Sequence, residues 1–272
     1  MKKIKQRLSS NAALILLLTV AIITFSTNAF SADAAEIMEK SNNAYFYAGD
    51  DGRADVTMKL INKSGKERLR VFTMLRQDTV DGGEQKYYIY FHKPGDVKKT
   101  TFLVIKNIES DDSRWLFIPV INMVKRIAAS DKHSSFVGSD FSYEDVSGRV
   151  TSDDTHELVK EDKVGEYDVY VIKSTPKEKS AFSHVTHYID KKTSLPIKRE
   201  YYNKKGEVYK LFESLEIKTV QDIPTVTKRK MTDIKKKHHT TVDFDKIDYN
   251  LGVEDNIFSE RFLKAPPKKW IK

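Results

Sequence analysis

The sequence contains no cysteine among its 272 residues. Disulfides, thiol chemistry and lipidation of an N-terminal cysteine are therefore excluded. Only 11 glycines are present, and none stands in a Walker loop, a dinucleotide fingerprint or a Gly-x-Ser-x-Gly elbow. The seven histidines form no His-Glu-x-x-His arrangement, so a zinc signature is missing as well. The composition thus predicts a protein without a cofactor, without a metal and without catalytic residues of a recognisable kind.

Long apolar runs are also scarce, and the one at residues 12–25 follows four cations within the first seven residues. It falls short of the roughly 20 residues that a membrane-spanning helix needs. Small and polar residues follow it, which is typical of a cleaved secretory signal. We expect a signal peptide over residues 1–31, with cleavage after Ser31 or after Ala29, and a single domain over residues 32–272. Losing the four cations lowers the net charge from +8 to +4, which does not call for nucleic acid.

What the chain does have is a regular spacing of apolar side chains among polar ones. Residues 33–45 carry apolar side chains three and four apart, which predicts an amphipathic helix. After this helix the period changes to two, and short segments bounded by turn residues predict strands that must be antiparallel. There are twelve such segments: 56–60, 69–75, 84–92, 101–108, 114–118, 156–163, 167–174, 183–190, 195–203, 208–216, 225–233 and 238–249. Because twelve strands are too many for a flat sheet, we expect a barrel or a partial barrel, with a last short helix over 255–263.

Two polar stretches allow more than one interpretation. The acidic segment 138–145 has ligand types that suit calcium, but it lacks the EF-hand spacing, so a structured connector that bonds its own backbone is favoured. Basic residues cluster at Lys228-Arg229-Lys230, at Lys235-Lys236-Lys237-His238-His239, and at Lys264, Lys268, Lys269 and Lys272. They are interpreted as solvated strand ends, with contact to anionic lipid headgroups as the sharper alternative.

Several stretches together resemble the outer-membrane lipoprotein-sorting family, whose members are LolA-like. The run Phe136-Val137-Gly138-Ser139-Asp140-Phe141-Ser142-Tyr143-Glu144-Asp145 is the most specific of them. The others are the segments 114–119, 125–127, 188–190, 195–198 and 256–263. The resemblance implies a mainly β (α+β) fold, namely a strongly curved, unclosed antiparallel barrel of about 11–12 strands. A few helices would cover its concave face over an apolar cavity.

The function that this resemblance implies is a periplasmic, non-enzymatic carrier of lipid or lipoprotein acyl chains, with an exporter of the resistance-nodulation-division (RND) type as a partner. Moving one chain of about sixteen carbons into water costs on the order of 12 kcal/mol, so a carrier is physically useful. Arg126 is the candidate for a polar gate or headgroup contact. The candidates for the cavity lining are apolar strand and helix residues, each of which could instead be ordinary core: Ile37, Met38, Val56, Met58, Leu60, Leu69, Val71, Leu75, Tyr87, Ile89, Phe91, Phe102, Val104, Trp115 and Phe117.

Two further hypotheses remain open at the level of sequence. The first is a ligand-sensing or adaptor module that uses the same sheet to regulate a membrane partner. The second is a hydrolase whose acids would be Asp140, Glu144 and Asp145.

Overall fold

The computed structural model of the protein describes residues 33–271, so the expected signal peptide, 1–31, lies outside the described residues. The described chain forms one antiparallel sheet of thirteen strands. The strands are β1 (Asp51–Ile61), β2 (Glu67–Asp78), β3 (Gln85–Lys93), β4 (Thr101–Lys106), β5 (Ser113–Ile118), β6 (Met123–Ile127), β7 (Asp154–Val164), β8 (Tyr167–Pro176), β9 (His184–Asp190), β10 (Pro196–Tyr202), β11 (Val208–Val220), β12 (Ile223–Asp233) and β13 (His238–Tyr249).

The sheet consists of two meanders joined side by side. Its order is β6-β5-β4-β3-β2-β1-β13-β12-β11-β10-β9-β8-β7, so β1 and β13 are the one neighbouring pair that is distant in sequence. Val56 faces Phe244 across that pair. The strands β6 and β7 are the two edges and are not hydrogen-bonded to each other. The predicted unclosed, antiparallel, mainly β architecture is therefore confirmed.

The prediction missed one strand, β6. It has five residues, four of them exposed or half-buried, and its sequence Met-Val-Lys-Arg-Ile does not alternate. A short edge strand of this kind pairs on one side only, and its hydrogen bonds to β5 hold it without an apolar face.

The first helix, α1, spans residues 33–46, as its apolar stripe predicted. Ala34 and Met38 pack against Ile172 of β8 and Ile189 of β9. Its C-terminal end reaches the middle of the sheet, where the Tyr45 ring meets Phe212 of β11 edge to face at 6.0 Å. The helix therefore lies across one face of the sheet. We call this concave face the inner face and the opposite one the outer face.

The connector, residues 128–153, leaves the edge strand β6 and crosses the inner face before it enters β7. It contains the short helix α2 (Tyr143–Ser147) and two 3₁₀ turns, Ala129–Asp131 and Thr151–Asp153. Ser142 and Asp145 close a capping box at the start of α2. The acidic segment is thus part of a structured connector that bonds its own backbone.

The C-terminal segment, residues 250–271, covers the opposite, outer face over β2 to β5. Instead of the single helix predicted over 255–263, it has a 3₁₀ turn, Asp255–Ile257, and a four-residue helix, α3 (Arg261–Lys264). Four residues are too few to sustain an isolated helix, so packing holds this segment in place. The helices that cover the concave face, as predicted, are α1 and α2, whereas α3 packs on the outer face.

Candidate functional site

The inner face carries the largest apolar cluster of the protein. Its buried side chains come from ten strands and from the connector, which contributes Phe136, Phe141, Tyr143 and Val146. Eight of the predicted lining residues belong to it: Val56, Met58, Leu60, Tyr87, Ile89, Phe91, Phe102 and Val104. The predicted helix residues Ile37 and Met38 lie nearby, in the smaller cluster beneath α1.

The remaining predicted lining residues lie elsewhere. Leu75, Trp115 and Phe117 face the outer side and pack beneath the C-terminal segment. Leu69 is 37% exposed, and Val71 is half-buried outside the clusters. On β2 it is Phe72 and Met74 that face inward. Alternate positions of this strand are apolar on both sides, so the sequence alone left its inner face ambiguous.

Two cavities remain on the inner face beneath α1, and the larger of the two, the hollow, lies next to the C-terminal end of α1. Its volume is about 110 Å³, and it lies between Ala54, Met74, Arg229, Phe244 and Val146. A cavity of about 150 Å³ binds benzene, so this one takes a fragment of an acyl chain rather than a whole chain. The connector and α1 fill most of the remaining space over the inner face. Among the predicted lining residues, Tyr87 is the one that borders the hollow.

Sequence reasoning missed this place because it searched for large apolar side chains. The hollow is bordered instead by small ones on the approach to β1 and within it, namely Ala44, Ala48, Gly52 and Ala54. Short side chains at inward positions leave unfilled volume among large neighbours. A run of small residues at the inward positions of a strand is the signal that could have located it.

Polar contacts tie the connector to the sheet. Lys210 of β11 donates to Asp145 at 2.8 Å, and the Asp145 carboxylate also accepts from Tyr201 at 3.2 Å. Burial raises the pKa of Asp145, but the charge and hydrogen bond of Lys210, helped by Ser142, outweigh it and bring the pKa to about 2. Asp140 is bonded by His238 and Thr240 of β13.

Glu144, the third acid of the hydrolase hypothesis, contacts Lys132, His133 and Arg149. All three acids of that hypothesis are therefore engaged in holding the connector. This arrangement supplies fixed charge pairs rather than a free general acid or base.

Asp140, Asp233 and His238 bring potential metal-ligand atoms within 4.8 Å of one another. Internal partners already engage these atoms, because Asp140 bonds His238 and Thr240 while Lys236 pairs with Asp233 at 3.0 Å. We therefore interpret the group as part of the connector's attachment.

A lysine is buried on the inner side, next to the last residue of α2. Lys106 of β4 is 1% exposed and donates to the carbonyl oxygen of Ser147 at 3.1 Å. Its ammonium lies over the Phe46 and Tyr47 rings, at 5.8 and 5.6 Å from their centroids. Burial lowers its pKa to about 8.

Several turns along the two rims of the sheet differ in the sign of their charge. At one rim, the adjacent turns β3–β4, β1–β2, β12–β13 and β10–β11 hold nine exposed lysines and two acids. The lysines of this basic rim are Lys63, Lys66, Lys98, Lys99, Lys204, Lys205, Lys235, Lys236 and Lys237. At the other rim, the turns β2–β3, β4–β5 and β11–β12 hold six acids and no lysine or arginine, whereas the β9–β10 turn holds Lys191 and Lys192. The four lysine-rich turns are neighbours because alternate turns of a meander fall at the same rim.

An apolar tip stands beside the basic rim, at the β5–β6 turn. Val120 is 79% exposed, Ile121 59% and Met123 44%. Arg126, the predicted gate, is exposed on the neighbouring strand and stacks over the outer-facing Trp115 ring at 5.8 Å. The structure therefore places Arg126 outside the inner face.

Comparison with known proteins adds to this geometry. A family model described as "-like: Uncharacterized protein" matches residues 83–265, about two thirds of the chain. The chain belongs to this family. Its matched region runs from the start of β3 to the C-terminal segment, so it includes the connector and most of the sheet. No curated protein matches the chain.

Solved structures of similar proteins share the whole described fold. A DUF1329 family protein from Desulfovibrio piger has 26% identity and a TM-score of 0.80, over 86% of this chain and 99% of that one. A domain assigned as an outer membrane lipoprotein-sorting protein, from Vibrio parahaemolyticus, has 27% identity and a TM-score of 0.80, over the same shares. The predicted resemblance to the lipoprotein-sorting family is thereby confirmed.

A LolA superfamily protein from Nitrosomonas europaea has the same fold, with 19% identity and a TM-score of 0.66, over 84% of this chain and 98% of that one. Among residues 33–271, no helix is both long enough and apolar enough to cross a membrane.

Proposed function

We propose that the protein is a non-enzymatic carrier that binds the acyl chains of a lipid or lipoprotein on the inner face of its sheet. The observation that carries the proposal is the nature of the cover over that face. The cover consists of α1 and the connector, which are not strands of the sheet and which meet it through apolar side chains. An acyl chain can replace such contacts with equivalent ones, since hydrophobic burial is not directional.

The similarity to a lipoprotein-sorting domain supports the same conclusion. The hollow of about 110 Å³ would receive the first part of the chain. Displacing Tyr45, Phe46 or Val146 at its border would then open room for the rest. Every methylene that enters gains about 0.8 kcal/mol, which offsets the burial that a displaced side chain of the cover loses.

Uptake of a sixteen-carbon fluorescent fatty acid by the purified protein tests the proposal, together with mass spectrometry of lipids that copurify in native form. Ala54→Leu fills the hollow and should weaken uptake about tenfold or more, since it removes space worth about three methylenes. Thr57→Leu is the matched control, because it adds an apolar side chain on the outer side of the same strand. Protein that neither copurifies with lipid nor takes up the probe would contradict the proposal.

We further propose that the protein works in the periplasm as the single domain 32–272, after removal of residues 1–31, and that it touches membranes only transiently. The basic rim and the neighbouring apolar tip support this contact. Each lysine near an anionic surface contributes about 1 kcal/mol, and Val120 and Ile121 are placed to enter the headgroup region.

Sedimentation with phosphatidylcholine vesicles, with and without phosphatidylglycerol, measures the membrane contact. Replacing Lys235, Lys236 and Lys237 with glutamine should reduce binding to the anionic vesicles about tenfold or more. The control replaces three lysines away from this rim, Lys160, Lys163 and Lys192. Equal losses in both triple variants would show that net charge matters and the rim does not.

The resemblance adds a partner, an inner-membrane RND exporter, that would exchange cargo with this carrier. A photocrosslinking residue at position 121, in the apolar tip, should capture a membrane protein in cells, whereas one at Leu251 on the far side should not. Absence of any membrane-protein adduct at position 121 would argue against a protein partner at the tip.

The ligand-sensing or adaptor module is the second candidate, and the observation in its favour is the small volume of the hollow, which suits a small ligand. It predicts capture of a membrane partner without transfer of lipid between vesicles. The carrier predicts measurable transfer of labelled lipid from donor to acceptor vesicles, so one transfer assay separates the two.

A further inference from the structure

Two arginines on the inner face lack a carboxylate partner. Arg199 of β10 and Arg229 of β12 form no ion pair with any described residue, although both side chains point into the interior, at the edges of cavities. The Nε atom of each is buried and has no hydrogen-bond partner. Both residues are half-buried, and a charge withdrawn from water without a counter-charge is unfavourable, so the missing carboxylate needs an explanation.

The protein pairs its other buried arginines. Arg70 is bonded to Asp96 at 3.2 Å, Arg114 to Asp112 at 2.5 Å and Arg149 to Asp154 at 2.8 Å, and Arg76 is paired with Asp78. The Nε atoms of Arg70 and Arg114 are also free, but their guanidinium groups each meet a carboxylate. The absence of a carboxylate is therefore specific to Arg199 and Arg229 within this set.

Aromatic rings now surround the two guanidinium groups. Arg199 lies 5.1 Å from the centroid of Tyr45 and 5.0 Å from that of Phe212. Arg229 lies 5.7 Å from Tyr45, 5.3 Å from Phe141 and 4.7 Å from Phe244. Cation–π contacts of this kind compensate a buried charge only in part.

Tyr45 of α1 occupies the space between the two arginines. Arg229 donates a hydrogen bond to its hydroxyl oxygen, which is the acceptor that the interior offers to this guanidinium. The arginines stand two strands apart, on β10 and β12, with β11 between them. Arg199 is level with Phe212 and Met231, so Arg229 is offset by two residues along β12. Strand spacing and rise then put the two backbones about 12 Å from each other, which is a distance that two long side chains can close around one anion.

We propose that Arg199 and Arg229 form a binding site for one anionic group, a phosphate or a carboxylate, at the position that Tyr45 now occupies. The proposal rests on the proposed function and deepens it, because it makes the cargo an anionic amphiphile. Arg229 borders the apolar hollow, so an anion held there continues directly into the space for an acyl chain.

Nearby groups are suited to such a ligand. Arg199 borders a second cavity of about 80 Å³ together with His187, and Phe46 of α1 borders both cavities. Burial lowers the pKa of His187 well below its usual range, and the charge of Arg199 adds to this effect. A neutral imidazole can donate one hydrogen bond to the anion without adding a third buried charge. Asp145 is not the missing counter-charge, because its carboxylate accepts hydrogen bonds from Lys210 and Tyr201.

The experiment compares three probes with the same sixteen-carbon chain: hexadecyl phosphate, hexadecanoate and the uncharged hexadecanol. The processed protein, residues 32–272, should bind both anionic probes at least tenfold more tightly than the alcohol. In the double variant Arg199→Gln, Arg229→Gln this preference should disappear, while binding of the alcohol stays within twofold. The controls are Lys198→Gln and Lys230→Gln, which neutralise the adjacent outer-facing cations on the same two strands and should leave the preference intact.

Three further variants keep the result interpretable, namely Arg229→Lys and the two single glutamine variants. Arg229→Lys retains the charge but loses the forked guanidinium, so it should keep a reduced preference for the anionic probes. If the double variant failed to fold, as judged by its melting curve, each single glutamine variant should still lower the preference. Equal affinity of the wild-type protein for the alcohol and the anionic probes would overturn the proposal, and so would a double variant that keeps the preference.

Inorganic phosphate distinguishes a headgroup from a free anion and separates this proposal from the carrier function. If the phosphate displaces hexadecyl phosphate at similar concentrations, the ligand is the free anion. If no amphiphile binds, the carrier function is contradicted. The anion site is then supported only if phosphate raises the melting temperature of the wild type and does not raise that of the double variant. Absence of that rise would overturn the site as well.

Discussion

Lys210 and Asp145 form an ion pair of 2.8 Å that joins strand β11 to the first turn of α2. Both side chains are largely buried, with 15% and 13% of their surface exposed. This pair, together with the Asp140 contacts to His238 and Thr240, attaches the connector to the inner face at two places. The cover over the sheet is thus held by a few polar contacts around an apolar interior.

Removing Lys210 should therefore loosen the connector. Lys210→Met leaves the Asp145 carboxylate buried without its counter-charge, and we expect a loss of about 3 kcal/mol in the free energy of unfolding. Lys218→Met, on the same strand but in an exposed pair with Glu216, should cost less than about 0.5 kcal/mol. Urea denaturation measures both, and similar losses would contradict a special role for the Lys210 pair.

The same carboxyl should make stability depend on acid pH. Its pKa of about 2 lies below the ordinary value of 3.8, so Asp145 contributes stability above pH 4 that is lost as the pH falls toward 2. We expect this contribution to be about 2 kcal/mol, and it should be missing from Asp145→Asn. Denaturation at pH 6 and at pH 2.5 tests it; a difference between the wild type and the variant that is the same at both pH values would disprove it.

Lys106 should act in the opposite pH range. Its folded pKa of about 8 lies below the ordinary value of 10.5, so between these values the folded state releases a proton that the unfolded state keeps. The free energy of unfolding should then rise with pH for the wild type relative to Lys106→Met, by up to about 3 kcal/mol between pH 7.5 and 10.5. A pH-independent difference between the two proteins would show that Lys106 titrates normally.

Gly148 ends α2 at a point where the connector touches α1. Its φ of +79° disfavours any side chain, and a Cβ there would stand 2.9 Å from the Phe46 ring. Gly165 has a φ of +59° but open space around it. Gly165→Ala should cost about 1 kcal/mol for the backbone alone, whereas Gly148→Ala should cost about 2–4 kcal/mol because overpacking adds to it. Equal losses in the free energy of unfolding for the two variants would mean that α1 moves aside without a measurable energetic penalty.

The C-terminal segment should be integral to the fold. Leu263 is fully buried against the outer face, so Leu263→Ala should lower the free energy of unfolding by about 3 kcal/mol. Leu251→Ala, at a position 39% exposed, should change it by less than about 0.5 kcal/mol. Because this segment lies opposite the inner face, uptake of the fatty-acid probe should be unchanged in folded Leu263→Ala protein; a clear loss of uptake would link the two faces.

Much of the fold could be predicted because strand formation is visible locally. Alternation located twelve strands, and the tight turns between them required antiparallel pairing. The strand that escaped, β6, has no apolar face, and the last helix broke into two short pieces that packing stabilises. Both are elements whose conformation depends on neighbours distant in sequence.

The site was less predictable for a related reason. Large alternating side chains such as Val56 and Phe102 do line the inner face. The hollow lies beside small residues such as Ala54, and the unpaired arginines are recognisable only when the carboxylates around the other arginines are seen. Vacant volume and missing counter-charges are properties of a packed interior rather than of a strand.

The sequence by itself determined where the chain alternates, where it turns and that its strands run antiparallel, because these follow from the side-chain period and from short connections. Only the tertiary structure decided which face is inside. On β3, Tyr87 and Tyr88 are adjacent and both buried, one beneath the connector and the other beneath the C-terminal segment. Both faces of this strand are apolar, so its own sequence does not determine which face is inside. That is determined by the pairing of β1 with β13 and by the segments that cover each side.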